Sequence, residues 1–182
     1  MKSANIKTWT DLKGKTIAAP FGSTTHYLLL KALSDAGVKP SSMKILDLRP
    51  ADIAAAWARG DIDAAWYWEP NLDKAVKRGG EIFITSGDME KRGYPTWDVG
   101  VVMNSFAEKY PDYVVKFIKA ECAGIDFWIK NPKKTAKIIA EELSLPLPDA
   151  TRMMKGTEMV PCSTQLTSKY IGTSNSIGSF AD

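Results

Sequence analysis

Three hydroxyl residues in a row, Ser23-Thr24-Thr25, follow Pro20-Phe21-Gly22 and precede His26-Tyr27. The apolar run before them, Thr16 to Ala19, reads as a strand. The run after them, Leu28 to Leu33, reads as a helix. The hydroxyls and a glycine therefore stand where a strand turns into a helix. The first turn of a helix carries backbone N–H groups without intrahelical partners and the positive end of the dipole. Such an end attracts an anion. The same residues also suit an ordinary N-cap, worth about 1 kcal/mol, and at this point both readings stand.

The opposite charge is available nearby. Asp47, Asp52, Glu69 and Asp98 fall in or beside the expected loops. Glu69 follows Trp66-Tyr67-Trp68, and Asp98 follows Trp97. A carboxylate beside aromatic faces suits an ammonium group, by charge and by cation–π attraction. A capped loop at Asp98 and a solvated turn at Glu69 are the plainer alternatives. An anion site together with an aromatic–carboxylate site describes a small zwitterion.

Other chemistry is poorly supplied. His26 is the single histidine, and the usual zinc sites need more nitrogen and sulfur than this chain has. No cofactor is implied. His26 adjoins Ser23 and the two threonines, but neighbours on one helix do not orient one another as nucleophile and base. No GxSxG, HExxH, P-loop or GxGxxG motif occurs. The net charge is only +3 over 182 residues, with dispersed Lys and Arg, which gives nucleic-acid binding little support. No apolar run is long enough to span a membrane, and no signal peptide is read after Met1. Cys122 and Cys162 match no metal or CxxC pattern; a disulfide and two buried thiols both remain open.

The elements that position these residues follow from periodicity. Trp9 to Lys15 reads as a helical turn closed by Gly14. Helix 24–36 should bury Tyr27, Leu28, Leu30 and Ala32, with Gly37 after its end. Met43 to Leu48 alternates as a strand, and Pro50 to Gly60 is a helix opened by proline and closed by glycine. Further strands are expected over 62–68, 81–85 and 99–103, with a helix from Asn71 to Arg78. Short strands alternating with helices predict an α/β fold with a mostly parallel sheet. Its ligand loops leave the carboxyl ends of the strands, at 20–25, 48–52 and 66–71. The second half reads as helices: 106–129, broken near Gly124, then 133–143, then 149–155. The Ser-, Gly- and Asn-rich tail from 167 to 182 is expected to be loosely held.

The stretch from Asp11 to Tyr27 resembles the taurine-binding branch of the periplasmic solute-binding proteins of ABC importers. So do Pro50 to Trp57, Arg59 to Ala65, Trp68-Glu69-Pro70, Pro95 to Val99 and Phe106 to Pro111. Asp11-Leu12-Lys13-Gly14-Lys15 is common to many such proteins, whereas Ser23-Thr24-Thr25-His26-Tyr27 points to taurine or a close sulfonate. The resemblance implies a type II periplasmic binding protein-like lobe over 8–103, including a return crossover strand. It implies that the helices of 104–182 complete a first lobe lying upstream of this chain.

The resemblance also implies that Ser23, Thr24 and Thr25 take the sulfonate and that His26 and Tyr27 shape that side. Trp66 or Trp68 then lines the cleft, Glu69 and Asp98 face the amine, and Trp97 contributes a wall. Arg49 could approach the anion. The implied protein is a non-catalytic substrate-binding component, periplasmic in its full-length relatives, which delivers its ligand to an ABC permease. Apolar helix faces left over in the second half predict self-association. A ligand-sensing module of a signalling protein, a thiamine-pyrimidine-synthase-like enzyme on the same fold, and a functionless remnant are the rivals. The enzyme depends on histidine- and cysteine-rich segments that this chain lacks.

Overall fold

The computed structural model describes residues 5–167, 170, 172–173 and 176–177. They form two compact units, one ending at Val99 and the other beginning at Gly100.

The first unit is built on a three-stranded parallel sheet. β1 (Thr16–Ala19) lies between β2 (Lys44–Asp47) and β3 (Ala64–Ala65). Side chains alternate across a strand, and β1 uses both faces. Ile17 and Ala19 pack with Leu29 and Leu33 of α1 (Thr24–Asp35), beside Leu12 and Val38. Ala18 faces the other way, into a cluster with Ile53 and Ala56 of α2 (Pro50–Arg59), Ile62, Tyr67 and Ala75. Helices thus cover both faces of the central strand, as parallel sheets require. α3 (Asn71–Val76) packs on α2, and α4 (Ser86–Glu90) packs on α1, burying Met89 against Leu28 and Ala32.

Several expectations need correction. The strand foreseen over 62–68 shrinks to two residues, because Trp66 donates the last bond to Ala18 and Tyr67 then turns into the core. The segments 81–85 and 99–103, expected as strands, form none among the described residues. A β-prone run becomes a strand only when a neighbour supplies the ladder, and Val101 is 90% exposed. The buried face of α1 is Thr25, Leu28, Leu29, Ala32 and Leu33, while Tyr27 and Leu30 are exposed.

The second unit is helical: α5 (Asn104–Lys109), α6 (Pro111–Lys130), α7 (Pro132–Glu142), α8 (Leu147–Lys155) and α9 (Cys162–Gln165). The break falls at Tyr110, not at Gly124. The residue before a proline avoids the helical region, and Tyr110 sits at φ −134°, ψ 55°. α7 and α8 pack through Thr135, Ala136, Ala140 and Ala150. Pro148 lies in the first turn of α8, where its missing N–H costs nothing. Cys122 and Cys162 form a disulfide with sulfurs 2.01 Å apart, which resolves the alternative left open by their spacing. β4 (Gly172–Thr173) and β5 (Ser176–Ile177) form an antiparallel pair. The rest of the tail, expected to be loose, lies outside the described residues.

Candidate functional site

Parallel pairing puts the carboxyl ends of β1, β2 and β3 along one edge of the sheet. The loops that leave this edge, with the first turn of α1, carry the candidate residues except Trp97 and Asp98, which follow α4. The first loop is held by its own polar groups. Ser23 is the N-cap of α1: its Oγ accepts the His26 amide at 3.2 Å, donates to the Pro20 carbonyl, and lies 2.9 Å from Thr25 Oγ1. Gly22, at φ 75°, makes the turn that an L-residue would resist. Its amide donates to His26 Nδ1 at 3.4 Å. The His26 ring stacks on Phe21 at 4.2 Å with an interplanar angle of 1°.

Asp47, at the end of β2, accepts the Phe21 amide at 2.9 Å and so ties the β1 loop to the neighbouring strand. The sequence had marked Asp47 as a nearby carboxylate. That its charge is spent on a loop amide could not be read from spacing.

Two backbone donors remain at the start of α1. The amides of Thr24 and Thr25 have no partner among the described residues. Thr24 is exposed, whereas Thr25 is buried. The capping reading is met by Ser23, which closes the helix, and the two threonine amides remain without partners among the described residues. His26 buttresses the loop, and Tyr27 is exposed beside it.

The β3 loop divides its aromatics. Trp66 packs against the clusters under α1. Trp68 is exposed, and Tyr67 between them is buried. The Tyr67 hydroxyl makes no hydrogen bond, and burial, followed by the charge of Glu69, pushes it up to about 12. Glu69 Oε2 accepts the Asp73 amide at 2.9 Å, at the open end of α3. Its carboxylate thus organises its own loop, whatever else it meets. Arg49, the N-cap residue of α2, is exposed on the β2 loop. Trp97 is half-buried and Asp98 exposed. A surface cavity of about 640 Å³, lined in part by Lys7, Trp9, Phe83, Lys91 and Arg92, includes none of the candidate residues. Among the described residues no cluster of His, Cys, Asp and Glu could hold a metal ion, and no helix is long and apolar enough to cross a membrane.

The chain is 42% identical over 153 residues to the taurine-binding periplasmic protein of Escherichia coli K12, covering 80% of this chain and 47% of that protein. It is 29% identical over 160 residues to a putative aliphatic sulfonates-binding protein of Bacillus subtilis, covering 86% of this chain and 47% of that one. The chain thus spans about half the length of the curated relatives it matches.

Among solved structures it resembles the periplasmic aliphatic sulphonate binding protein SsuA of Escherichia coli. That match has a TM-score of 0.66 and 25% identity, over 90% of this chain and 57% of the other. The alkanesulfonate-binding protein SsuA of Xanthomonas axonopodis, crystallised with MOPS, gives a TM-score of 0.72 at 23% identity, over 85% of this chain and 53% of that one, and speaks to fold alone. Residues 1–135 match the family described as NMT1/THI5 like, and with its periplasmic binding protein-like fold the chain belongs to that family.

Proposed function

We propose that this chain is part of a substrate-binding component of an ABC importer and binds taurine or a related small sulfonate without catalysis. The observation that carries the reading is the pair of amides at Thr24 and Thr25, which have no partner among the described residues, in the first turn of α1 at the exposed Thr24. Three sulfonate oxygens match two N–H donors and one O–H donor, at the positive end of α1. Ser23 holds the turn and His26 with Phe21 stiffens it. Exposed Trp68 supplies an apolar wall for the ethylene group, and Asp98, with Glu69, supplies charge for the ammonium.

On this reading the first unit is the second lobe of such a protein, and the helical unit completes the other lobe. Function then consists of ligand-driven closure and docking on a permease. A periplasmic location fits the disulfide, since such bonds persist in oxidising compartments. The surplus apolar surface of the helical unit is covered by self-association when nothing else covers it.

Amide NMR on the intact chain tests the site and tolerates weak binding. Millimolar taurine should shift the Thr24 and Thr25 amide resonances saturably. Ethanesulfonate, which lacks the amine, should shift the same two amides while leaving Asp98 unmoved. Unshifted Thr24 and Thr25 amides with either sulfonate would overturn the proposal.

A further inference from the structure

Of the five backbone amides from Phe21 to Thr25, three are already engaged. Phe21 donates to Asp47 Oδ1 at 2.9 Å, Gly22 to His26 Nδ1 at 3.4 Å, and Ser23 to the Pro20 carbonyl at 3.3 Å. The first of these bonds differs from the others, because its acceptor belongs to another strand and carries a charge. Parallel pairing sets Asp47, the last residue of β2, opposite Ala19, the last of β1. The chain leaving β1 therefore passes the Asp47 carboxylate almost at once. Among the described residues Asp47 enters no ion pair.

We propose that Asp47 sets the charge selectivity of the β1 loop. It positions the loop through the Phe21 amide, and its own charge restricts the loop to singly charged oxoanions, sulfonates and sulfate monoesters, against doubly charged sulfate, phosphate and phosphonates. The inference rests on the sulfonate reading above and adds to it which oxoanions are refused.

A dianion is best held by a run of successive N–H groups, which together form a concave anion cradle. Here the protein's own carboxylate occupies one member of that run. Phe21 stands three residues before Thr24, a span of at most ~11 Å in extended chain and less in a turn. At about 10 Å near a protein surface, each unit of ligand charge is disfavoured by roughly fivefold to tenfold. A dianion meets that penalty twice. The start of α1 offers the equivalent of about half a positive charge. No lysine or arginine occurs from Thr16 to Leu30, and Arg49 on the β2 loop is matched in charge by Asp52 in the first turn of α2. The two roles of Asp47 are separable: the hydrogen bond needs only an oxygen acceptor, which asparagine also has, whereas the selectivity needs the charge.

NMR titration of the Thr24 and Thr25 amides in the intact chain tests the inference, with methyl sulfate and sulfate as probes. The two ions share a tetrahedral core and differ by one charge; a fixed, low ionic strength keeps screening weak. The parent should bind methyl sulfate at least about fivefold more tightly than sulfate. Asp47→Asn should narrow that ratio severalfold, chiefly by tightening sulfate, with the Phe21 amide still protected from hydrogen exchange. Asp47→Ala has the same net charge as Asp47→Asn, so a comparison of the two isolates the positioning role. The alanine variant should bind methyl sulfate more weakly and lose protection at Phe21, while unchanged β1 amides report an intact fold. Sulfate bound by the parent as tightly as methyl sulfate, or a ratio unchanged in Asp47→Asn, would overturn the selectivity and leave the sulfonate reading standing. Equal binding by the alanine and asparagine variants would overturn the positioning role. Thr24 and Thr25 amides that respond to neither ion would remove the sulfonate reading, and this inference with it.

Discussion

The hydroxyl of Tyr67 is the one polar group in the β3 loop that the fold buries without a hydrogen bond. Its neighbours Trp66 and Trp68 face the core and the solvent, so the loop is anchored by the residue between the two tryptophans. Removing a lone buried hydroxyl relieves a desolvation penalty of about 1–3 kcal/mol. Tyr67→Phe should therefore raise stability near neutral pH by about 1 kcal/mol, read from urea unfolding.

The pH dependence has a definite sign. The folded-state value is raised to about 12 from an ordinary value of 10. Stability linked to the protonated phenol is then complete below pH 10 and lost as pH climbs through about 12, by up to ~3 kcal/mol. The parent should lose more stability than Tyr67→Phe between those limits, other tyrosines and lysines being common to both. A phenylalanine variant less stable at neutral pH would mean that the hydroxyl has a partner in solution. At the start of α1 the opposite economy holds, since Ser23 Oγ and Asp47 Oδ1 are both engaged by the loop.

At the scale of elements, what the sequence makes legible is what is decided locally. α2 begins at a proline and ends at Gly60, with φ 80°, as its composition requires. β1 and β2 end within a residue of their expected limits. The strands expected over 81–85 and 99–103 fail because pairing is not local: Ile82, Phe83, Val99 and Val101 have the side chains of strands and find no ladder among the described residues. The face of α1 was misjudged because Leu28-Leu29-Leu30 offers three overlapping stripes, and only the position of Ile17 and Ala19 selects the one through Leu29 and Leu33. The candidate site was legible as a helix start with hydroxyls. Which oxygen caps the helix and which amides stay open depends on tertiary placement of Pro20 and Asp47.

Gly79-Gly80 shows the same division. Both read as a helix stop, but only Gly80 is also a contact. A Cβ there would stand 2.9 Å from the Ala75 carbonyl oxygen and 3.1 Å from the Trp57 ring. Gly80→Ala must push α3 from α2, at a cost of about 1–3 kcal/mol. Gly100→Ala, which meets nothing within 4 Å and needs no positive φ, should be near neutral. Equal melting temperatures for the two variants would refute the close approach.

The whole molecule is two units held by different means. The first has a sheet with packed faces; the second has small buried residues between α7 and α8 and a covalent tie from α6 to α9. Both cysteines of the chain lie in the second unit. A reductant therefore acts on that unit alone, and the response of the first unit measures how far the two unfold together. The sequence separation is 40 residues, and a closed loop of that size restricts the unfolded chain by an amount worth about 2–4 kcal/mol. Reduction should lower the stability of α6 to α9 by that much, seen as faster amide hydrogen exchange there.

Protection in β1 and α1 should stay the same, because local opening follows the contacts of each region. Loss of protection in β1 in step with α6 would show one cooperative body and would remove the case for treating the ligand loops as independent of the helical unit. With the first unit unaffected, the sulfonate-induced shifts of the Thr24 and Thr25 amides should survive reduction, because no cysteine lies in that unit.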